Sequence, residues 1–190
     1  MTSPELDGAR ETLLAQLREH ALVIGDVTLS SGQQASYYVD ARRALLRPEG
    51  FLAAGRLIAA AARDAGADAV GGPVMAAIPL ACAAIAVPEG SGLVGFFVRK
   101  EGKVHGLQRM VEGPVEAGTK VLVVEDTVTT GGSTIAAIEQ IRSQGLDIVG
   151  GLCLVDRLAG GTDAIAAEID GPFEALVTID EIYPERPDRD

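Results

Sequence analysis

Residues 121–133 read Val-Leu-Val-Val-Glu-Asp-Thr-Val-Thr-Thr-Gly-Gly-Ser, and this order constrains the fold more than any other stretch. Four aliphatics, Val121 to Val124, predict a strand buried on both faces, as in a parallel sheet. Glu125 and Asp126 stand at its carboxyl end. A Thr/Gly loop follows, and then Thr134-Ile-Ala-Ala-Ile-Glu-Gln-Ile has helical spacing. Backbone N–H groups of Thr130 to Ser133 can converge on an anion at the start of that helix. The two carboxylates cannot bind the same anion, but they suit sugar hydroxyls or a metal ion. A phosphorylated ribose satisfies both halves. The Walker-type loop is excluded because it needs a lysine, and none is present here. The dinucleotide fingerprint is excluded because its acid follows the loop, whereas here the acids precede it. A Gly pair alone would read as ordinary punctuation between strand and helix; the full order argues against that.

The segment closely resembles the phosphoribosyl-pyrophosphate motif of type I phosphoribosyltransferases. The resemblance implies that Glu125 and Asp126 hold ribose hydroxyls. It also places Thr127, Val128, Thr129, Thr130, Gly131, Gly132 and Ser133 in the donor site, with Thr129 to Ser133 around the 5′-phosphate.

The chain of 190 residues is long enough for one α/β domain with a sizeable core. Its net charge of −11 disfavours a general affinity for nucleic acid or an anionic membrane. Cys82 and Cys153 lie in apolar runs without metal-ligand spacing, so both read as buried thiols in a reducing, cytoplasmic setting. The N-terminus has neither the basic nor the apolar region of a signal peptide. No charge occurs between Asp68 and Glu89, a length that could span a bilayer. Gly71, Gly72, Pro73, Pro79 and Pro88 interrupt it, so strand, turn and buried helix is the better reading.

Leu6, Leu13, Leu14, Leu17 and Ala21 fit one helical face after Ser3-Pro4. Val27-Thr-Leu and Tyr37-Tyr-Val flank a polar turn and predict a hairpin. Pro48 to Ala65 reads as a helix, Ala69 to Gly72 as a strand, and Leu80 to Ala86 as a helix. Leu93 to Val98, Ile148 to Val155 and Phe173 to Val177 read as further strands. Alternating strands and helices imply a mostly parallel central sheet flanked by helices, with ligands at the carboxyl ends of its strands. With the family resemblance this is the type I phosphoribosyltransferase fold: a single domain over residues 1–190, with a small hood from about residues 1–45 and the C-terminal region. The tail, Pro184 to Asp190, is expected to fray.

The chain has only three lysines, and two of them, Lys100 and Lys103, lie in Arg99-Lys-Glu-Gly-Lys-Val-His105 directly after a strand. A charge run is ordinarily a solvated surface loop. Beside a phosphosugar site, a polyanion clamp is the better reading, since lysines are movable point charges suited to a leaving group whose charge grows. The stretch Glu101 to Gly113, with three glycines, is expected to be mobile until substrate arrives.

The pattern Arg-Lys-x-x-Lys-x-His-Gly resembles the mobile catalytic loop of the orotate phosphoribosyltransferase family. So do Thr28-Leu-Ser-Ser-Gly-x4-Tyr-Tyr-Val-Asp and Val155-Asp-Arg157, and the similarity runs roughly from Leu13 to Ile179. It implies magnesium-dependent transfer of phosphoribose from phosphoribosyl pyrophosphate to N1 of orotate, a step of de novo UMP synthesis. It implies a homodimer whose loop closes over the neighbouring subunit's site. There Arg99, Lys100, Lys103 and His105 would contact pyrophosphate, Lys103 most critically as the catalytic residue. Thr129 and Arg157 would contact orotate. Arg157 has an independent case, because guanidinium recognises a carboxylate through two parallel hydrogen bonds. The alternative for Arg157 is an ion pair with an acid such as Asp156. Tyr37 and Tyr38 could wall the base, with core packing equally open to one of them.

The chain departs from many members at Gly72-Pro-Val-Met-Ala-Ala-Ile-Pro79, where Ala76 replaces a lysine in the pyrophosphate turn. Ser30, Gln33 and Gln34 stand where basic residues are common. Two alternatives to the orotate reading are a phosphoribosyltransferase for another base and a non-catalytic regulator that senses the donor and binds nucleic acid. Arg157 and the lysine loop argue against the first. The second would need a basic face or an added DNA-binding segment.

Overall fold

The computed structural model describes residues 4–28, 34–100 and 110–189. Helix α1 (Pro4–Gln16) starts at its proline and continues into one π-helical turn, Leu17–Ala21. The expected apolar face is real, because Leu13, Leu17 and Ala21 are buried. Strands β1 (Leu22–Thr28) and β2 (Gln34–Val39) form the antiparallel hairpin, with Ile24 opposite Tyr37 and Val23 opposite Tyr38. The hairpin therefore begins five residues before Val27, the residue at which the sequence reading placed it.

After the short helix α2 (Arg42–Leu45), helix α3 spans Pro48–Ala65. Pro48 occupies its first turn, where a missing N–H costs nothing. Gly66 ends it in the left-handed region, with its N–H on the carbonyls of Ala62 and Arg63. Strand β3 (Ala69–Pro73) leads to α4 (Ala77–Ala86) and β4 (Val94–Val98). A two-residue strand, β5 (Val111–Glu112), pairs antiparallel to β4. The chain then runs through β6 (Lys120–Val128), α5 (Gly132–Ser143), β7 (Asp147–Asp156), α6 (Gly161–Ile169), β8 (Phe173–Thr178) and α7 (Ile179–Ile182).

The main sheet has the order β5-β4-β3-β6-β7-β8, and every pairing in it except β4 with β5 is parallel. Its centre is buried on both faces, which is why β6 reads as an unbroken aliphatic run. Leu122 and Val124 pack with Leu13, Ile58 and Leu80 of α1, α3 and α4. Val121 and Val123 point the other way, onto Ile138 and Ile141 of α5 and Ile165 of α6. Strand β6 runs four residues beyond Val124, so Glu125 and Asp126 lie within its last turn of pleat rather than past its end.

Two expectations are corrected. Cys153 is buried in β7, but Cys82 is exposed. Cys82 shares the outer face of α4 with Ile78 and Ile85, which are also exposed, because the sheet-facing side of that helix is taken by Ala77, Leu80, Ala81 and Ala84. The tail expected to fray is instead held among the described residues. Arg186 Nε donates to Asp180 Oδ1 at 2.7 Å, and the Tyr37 hydroxyl donates to Asp188 at 3.0 Å. Charged side chains, not apolar burial, fix this segment, and composition alone gives no sign of it. No helix is long and apolar enough to cross a membrane among the described residues. The uncharged stretch from Asp68 to Glu89 folds as β3, a turn, α4 and a short 3-10 turn.

Candidate active site

The acidic pair sits where β6 opens into the loop. Glu125 is only 5% exposed. Its Oε2 accepts from the Thr134 hydroxyl at 3.0 Å, and its Oε1 accepts from the Asp126 N–H at 3.2 Å. Burial pushes Glu125 up to about 7, with the charge of Asp126 adding to it and the Thr134 hydrogen bond opposing. Asp126 is also raised by burial, against the pull of the Thr127 N–H and of Arg42. Arg42, held by its Nε on Asp40 Oδ1 at 2.7 Å, thus acts by its charge on Asp126. The sequence reading did not assign Arg42; its signal was Asp40-Ala-Arg42 immediately after Tyr37-Tyr-Val.

Thr127 to Thr134 line a cavity of about 150 Å³ at the start of α5. The helix begins at Gly132 with no side-chain cap, so its first N–H groups lack a capping acceptor from the chain. An anion held there would meet those donors and the positive end of the helix dipole. Gly131 turns with φ +78°, and a Cβ on it would lie 2.9 Å from the Gly161 carbonyl oxygen. The loop is therefore pressed onto the beginning of α6, which fixes its curvature.

Lys100 and Arg99 follow β4. With Pro73, Met110, Ser133 and Gln140 they line a neighbouring cavity of about 320 Å³, so two cations flank the loop's last residue. The Arg99 N–H donates to the Met110 carbonyl at 2.8 Å, closing the neck of the segment that carries Lys103 and His105. Lys103 and His105 themselves lie outside the described residues, as do Ser30 and Gln33. Of the stretch expected to be mobile, Val111 and Glu112 form β5, paired to Val98 and Phe97. Ala76 precedes α4 and gives it no side-chain cap.

Arg157 follows β7, its N–H bonded to the Val128 carbonyl at 2.9 Å, which ties it to the loop. Its Nη2 donates to the Tyr37 hydroxyl at 3.1 Å, and its guanidinium lies 5.1 Å from the Tyr37 ring centre. The ion pair with Asp156 is not formed. Asp156 instead accepts from the Leu158 N–H at 2.8 Å and the Thr162 hydroxyl at 3.0 Å, shaping the turn. The Nε of Arg157 is buried without a hydrogen-bond partner. An orphaned buried donor is costly, and a carboxylate would satisfy it. Tyr37 is buried in an edge-on contact with Tyr183, centroids 5.4 Å apart, so it is the tyrosine that packs inward. A larger groove of about 680 Å³, lined by Asp68, Gly92 and Pro114 to Thr119, lies at the amino ends of the strands. It carries no lysine, arginine or histidine and cannot seat a polyanion.

Residues 43–172 match the phosphoribosyl transferase domain family. The orotate phosphoribosyltransferase of Streptomyces avermitilis is 45% identical over 179 residues, covering 93% of this chain and 98% of that protein. That of Corynebacterium glutamicum is 44% identical, covering 92% and 94%. The Mycobacterium tuberculosis H37Rv orotate phosphoribosyltransferase in complex with Fe(III) dicitrate superposes with a TM-score of 0.83 at 39% identity, over 92% of this chain and 99% of that one. The same protein in complex with 5-phospho-alpha-D-ribosyl 1-diphosphate gives a TM-score of 0.78 at 34% identity, over 92% and 98%. Similarity of this extent, together with the acidic pair, the uncapped helix start and the arginine with its buried Nε, makes the chain a member of the orotate phosphoribosyltransferase family.

Proposed function

We propose that the protein transfers the 5-phosphoribosyl group from phosphoribosyl pyrophosphate to orotate, releasing pyrophosphate and orotidine 5′-phosphate, in pyrimidine synthesis. One observation carries the choice of acceptor: the buried, unpartnered Nε of Arg157 beside the donor seat. Orotate N1 attacks the anomeric carbon as the bond to pyrophosphate breaks. The cavity over Thr127 to Thr134 holds the 5′-phosphate, and Asp126, the less enclosed acid, takes the ribose hydroxyls. Arg157 orients the acceptor through its carboxylate, and Thr129, in the loop of the donor cavity, contacts it in this reading. Arg99, Lys100, Lys103 and His105 neutralise the departing pyrophosphate. Holding the two reactants in line supplies much of the rate, and fixed cations supply the rest.

Among the described residues, no group of three His, Cys, Asp or Glu could hold a metal ion. That donor set fits a magnesium ion carried by the donor's own oxygens and water, with Asp126 as the nearby carboxylate. Such an ion would neutralise pyrophosphate charge when bound. Exposed Met75, Ile78, Cys82 and Ile85 form an apolar face around α4, which supports a homodimer. The two free cysteines and the absence of a disulfide among the described residues favour a reducing, cytoplasmic setting.

The acceptor assignment is tested with Arg157→Ala in steady-state kinetics. The orotate KM should rise roughly tenfold or more, the worth of a charged hydrogen-bond pair, while the donor KM holds. Equal rises in both would remove Arg157 from the acceptor site.

A further inference from the structure

The segment after α7 does something that the transfer chemistry does not require of it. Asp180 Oδ1 accepts from Arg186 Nε at 2.7 Å, and Asp180 Oδ2 lies 3.3 Å from Arg189 Nε. Arg186 Nη1 is 3.0 Å from Asp188 Oδ1 and donates to the Asp188 carbonyl at 2.9 Å. Asp188 in turn lies 3.0 Å from the Tyr37 hydroxyl, and Tyr37 accepts from Arg157 at 3.1 Å. Ion pairs and hydrogen bonds thus run from α7 to the acceptor arginine: Asp180, Arg186, Asp188, the neutral Tyr37 hydroxyl, Arg157.

We propose that residues 184–189 are a positioning strap, in which Asp188, acting through the Tyr37 hydroxyl, aims the Arg157 guanidinium at the acceptor's carboxylate. This rests on the acceptor role given to Arg157 above.

The reasoning turns on one proton. A tyrosine hydroxyl has a single hydrogen to donate. Asp188 takes it, which turns the oxygen's lone pairs toward Arg157. Without Asp188 the hydroxyl hydrogen is free to rotate, and the guanidinium loses its fixed acceptor. Arg157 Nη2 carries two donors, of which Tyr37 needs one, and Nε on the same guanidinium is unpartnered. That edge is the fork a carboxylate accepts in two parallel bonds. Asp188 is kept ionised for the task. Burial would raise it, but hydrogen bonds from Arg186 and Tyr37 outweigh that and lower it. The Arg186 side chain is itself only 11% exposed, so the strap is anchored rather than loosely laid on the surface.

The test compares Asp188→Ala and Asp188→Asn in the full chain. Asparagine keeps an oxygen that can accept the Tyr37 proton, whereas alanine does not. With orotate and the phosphoribosyl donor each varied, Asp188→Ala should raise the orotate KM about tenfold, the usual worth of a hydrogen bond to a charged group. Donor KM and kcat should stay within about twofold, and Asp188→Asn should recover most of the loss. An unchanged orotate KM, equal rises in both KM values, or an asparagine variant as impaired as alanine would overturn the strap. A second readout needs no turnover. In ¹⁵N spectra of the ligand-free protein, the Arg157 Nε–H resonance, identified by its loss in Arg157→Lys, should be resolved in wild type and Asp188→Asn. It should merge with the exposed arginines in Asp188→Ala. An unmoved resonance counts against the strap even if orotate is turned over normally. A lost resonance in a protein that never uses orotate sinks the proposed function and leaves the strap standing.

Discussion

Replacing Glu125 by glutamine isolates the electrostatic cost of enclosing a carboxyl in the donor site. Glu125 is 5% exposed, and burial beside Asp126 raises it from 4.5 to about 7. The folded protein therefore holds this proton more tightly than the unfolded chain does. The resulting stability is fully present below about pH 4.5 and is lost as pH rises through about 7. At about 1.36 kcal/mol for each tenfold change in proton affinity, ionised Glu125 costs the fold about 3 kcal/mol. Glutamine removes that cost. It also has one acceptor oxygen where the carboxylate has two: Oε2 accepts from the Thr134 and Ser133 hydroxyls and Oε1 from the Asp126 N–H. Leaving one donor unpaired costs about 1 kcal/mol. The net expectation is a variant more stable than wild type by about 2 kcal/mol near pH 8, or roughly 4–8 °C in Tm for a chain of this size. Near pH 5 the two are about equal, and near pH 4 the order reverses, with the variant lower by about 1 kcal/mol. Thermal unfolding of the ligand-free proteins across that range checks it. Melting curves that shift in parallel with pH, without crossing, would refute the assigned burial and protonation of Glu125.

Asp126→Asn nearly preserves shape, so the fold should survive while donor affinity falls by roughly 1.5–3 kcal/mol, the worth of a charged hydrogen bond; unchanged binding in calorimetry would make the acidic pair structural. If Lys103 acts on charge that develops as pyrophosphate leaves, Lys103→Ala should lower turnover far more than it weakens ground-state binding; normal turnover would reduce its segment to a solvated loop. If that loop serves the neighbouring subunit, mixing Lys103→Ala with Asp126→Asn chains should restore activity, since one site of each mixed dimer carries neither lesion. Exchanged mixtures as inactive as the separate variants would contradict the shared site.

Much of the site was legible because it is local in sequence. Strand, acidic pair, loop and helix start lie within residues 121–134, and the aliphatic run reveals burial on both faces of the sheet. Helix α3 is also marked by its own residues, with Pro48 at one end and Gly66 at the other. What escaped depends on contacts between distant segments. Strand β5 has two residues and no periodicity; only its pairing with β4 makes it a strand. Helix α6 begins at Gly161, whose close approach to the Gly131 backbone requires a small residue there, and that approach is visible only in the fold. The influence of Arg42 on Asp126 reaches across 84 positions, and no local pattern marks it. Asp188 reaches Tyr37 across 151 positions, and no spacing rule links them. The exposure of Cys82 was likewise unreadable, since the apolar run around it is the same whether a neighbour covers that face or not.

The most direct measurement is a steady-state assay of the purified protein with phosphoribosyl pyrophosphate and magnesium, following orotate absorbance while uracil, adenine and hypoxanthine compete as acceptors. The account predicts turnover of orotate, dependence on magnesium, and little competition from bases that lack a carboxylate for Arg157. Clear turnover of a purine base with none of orotate would contradict it.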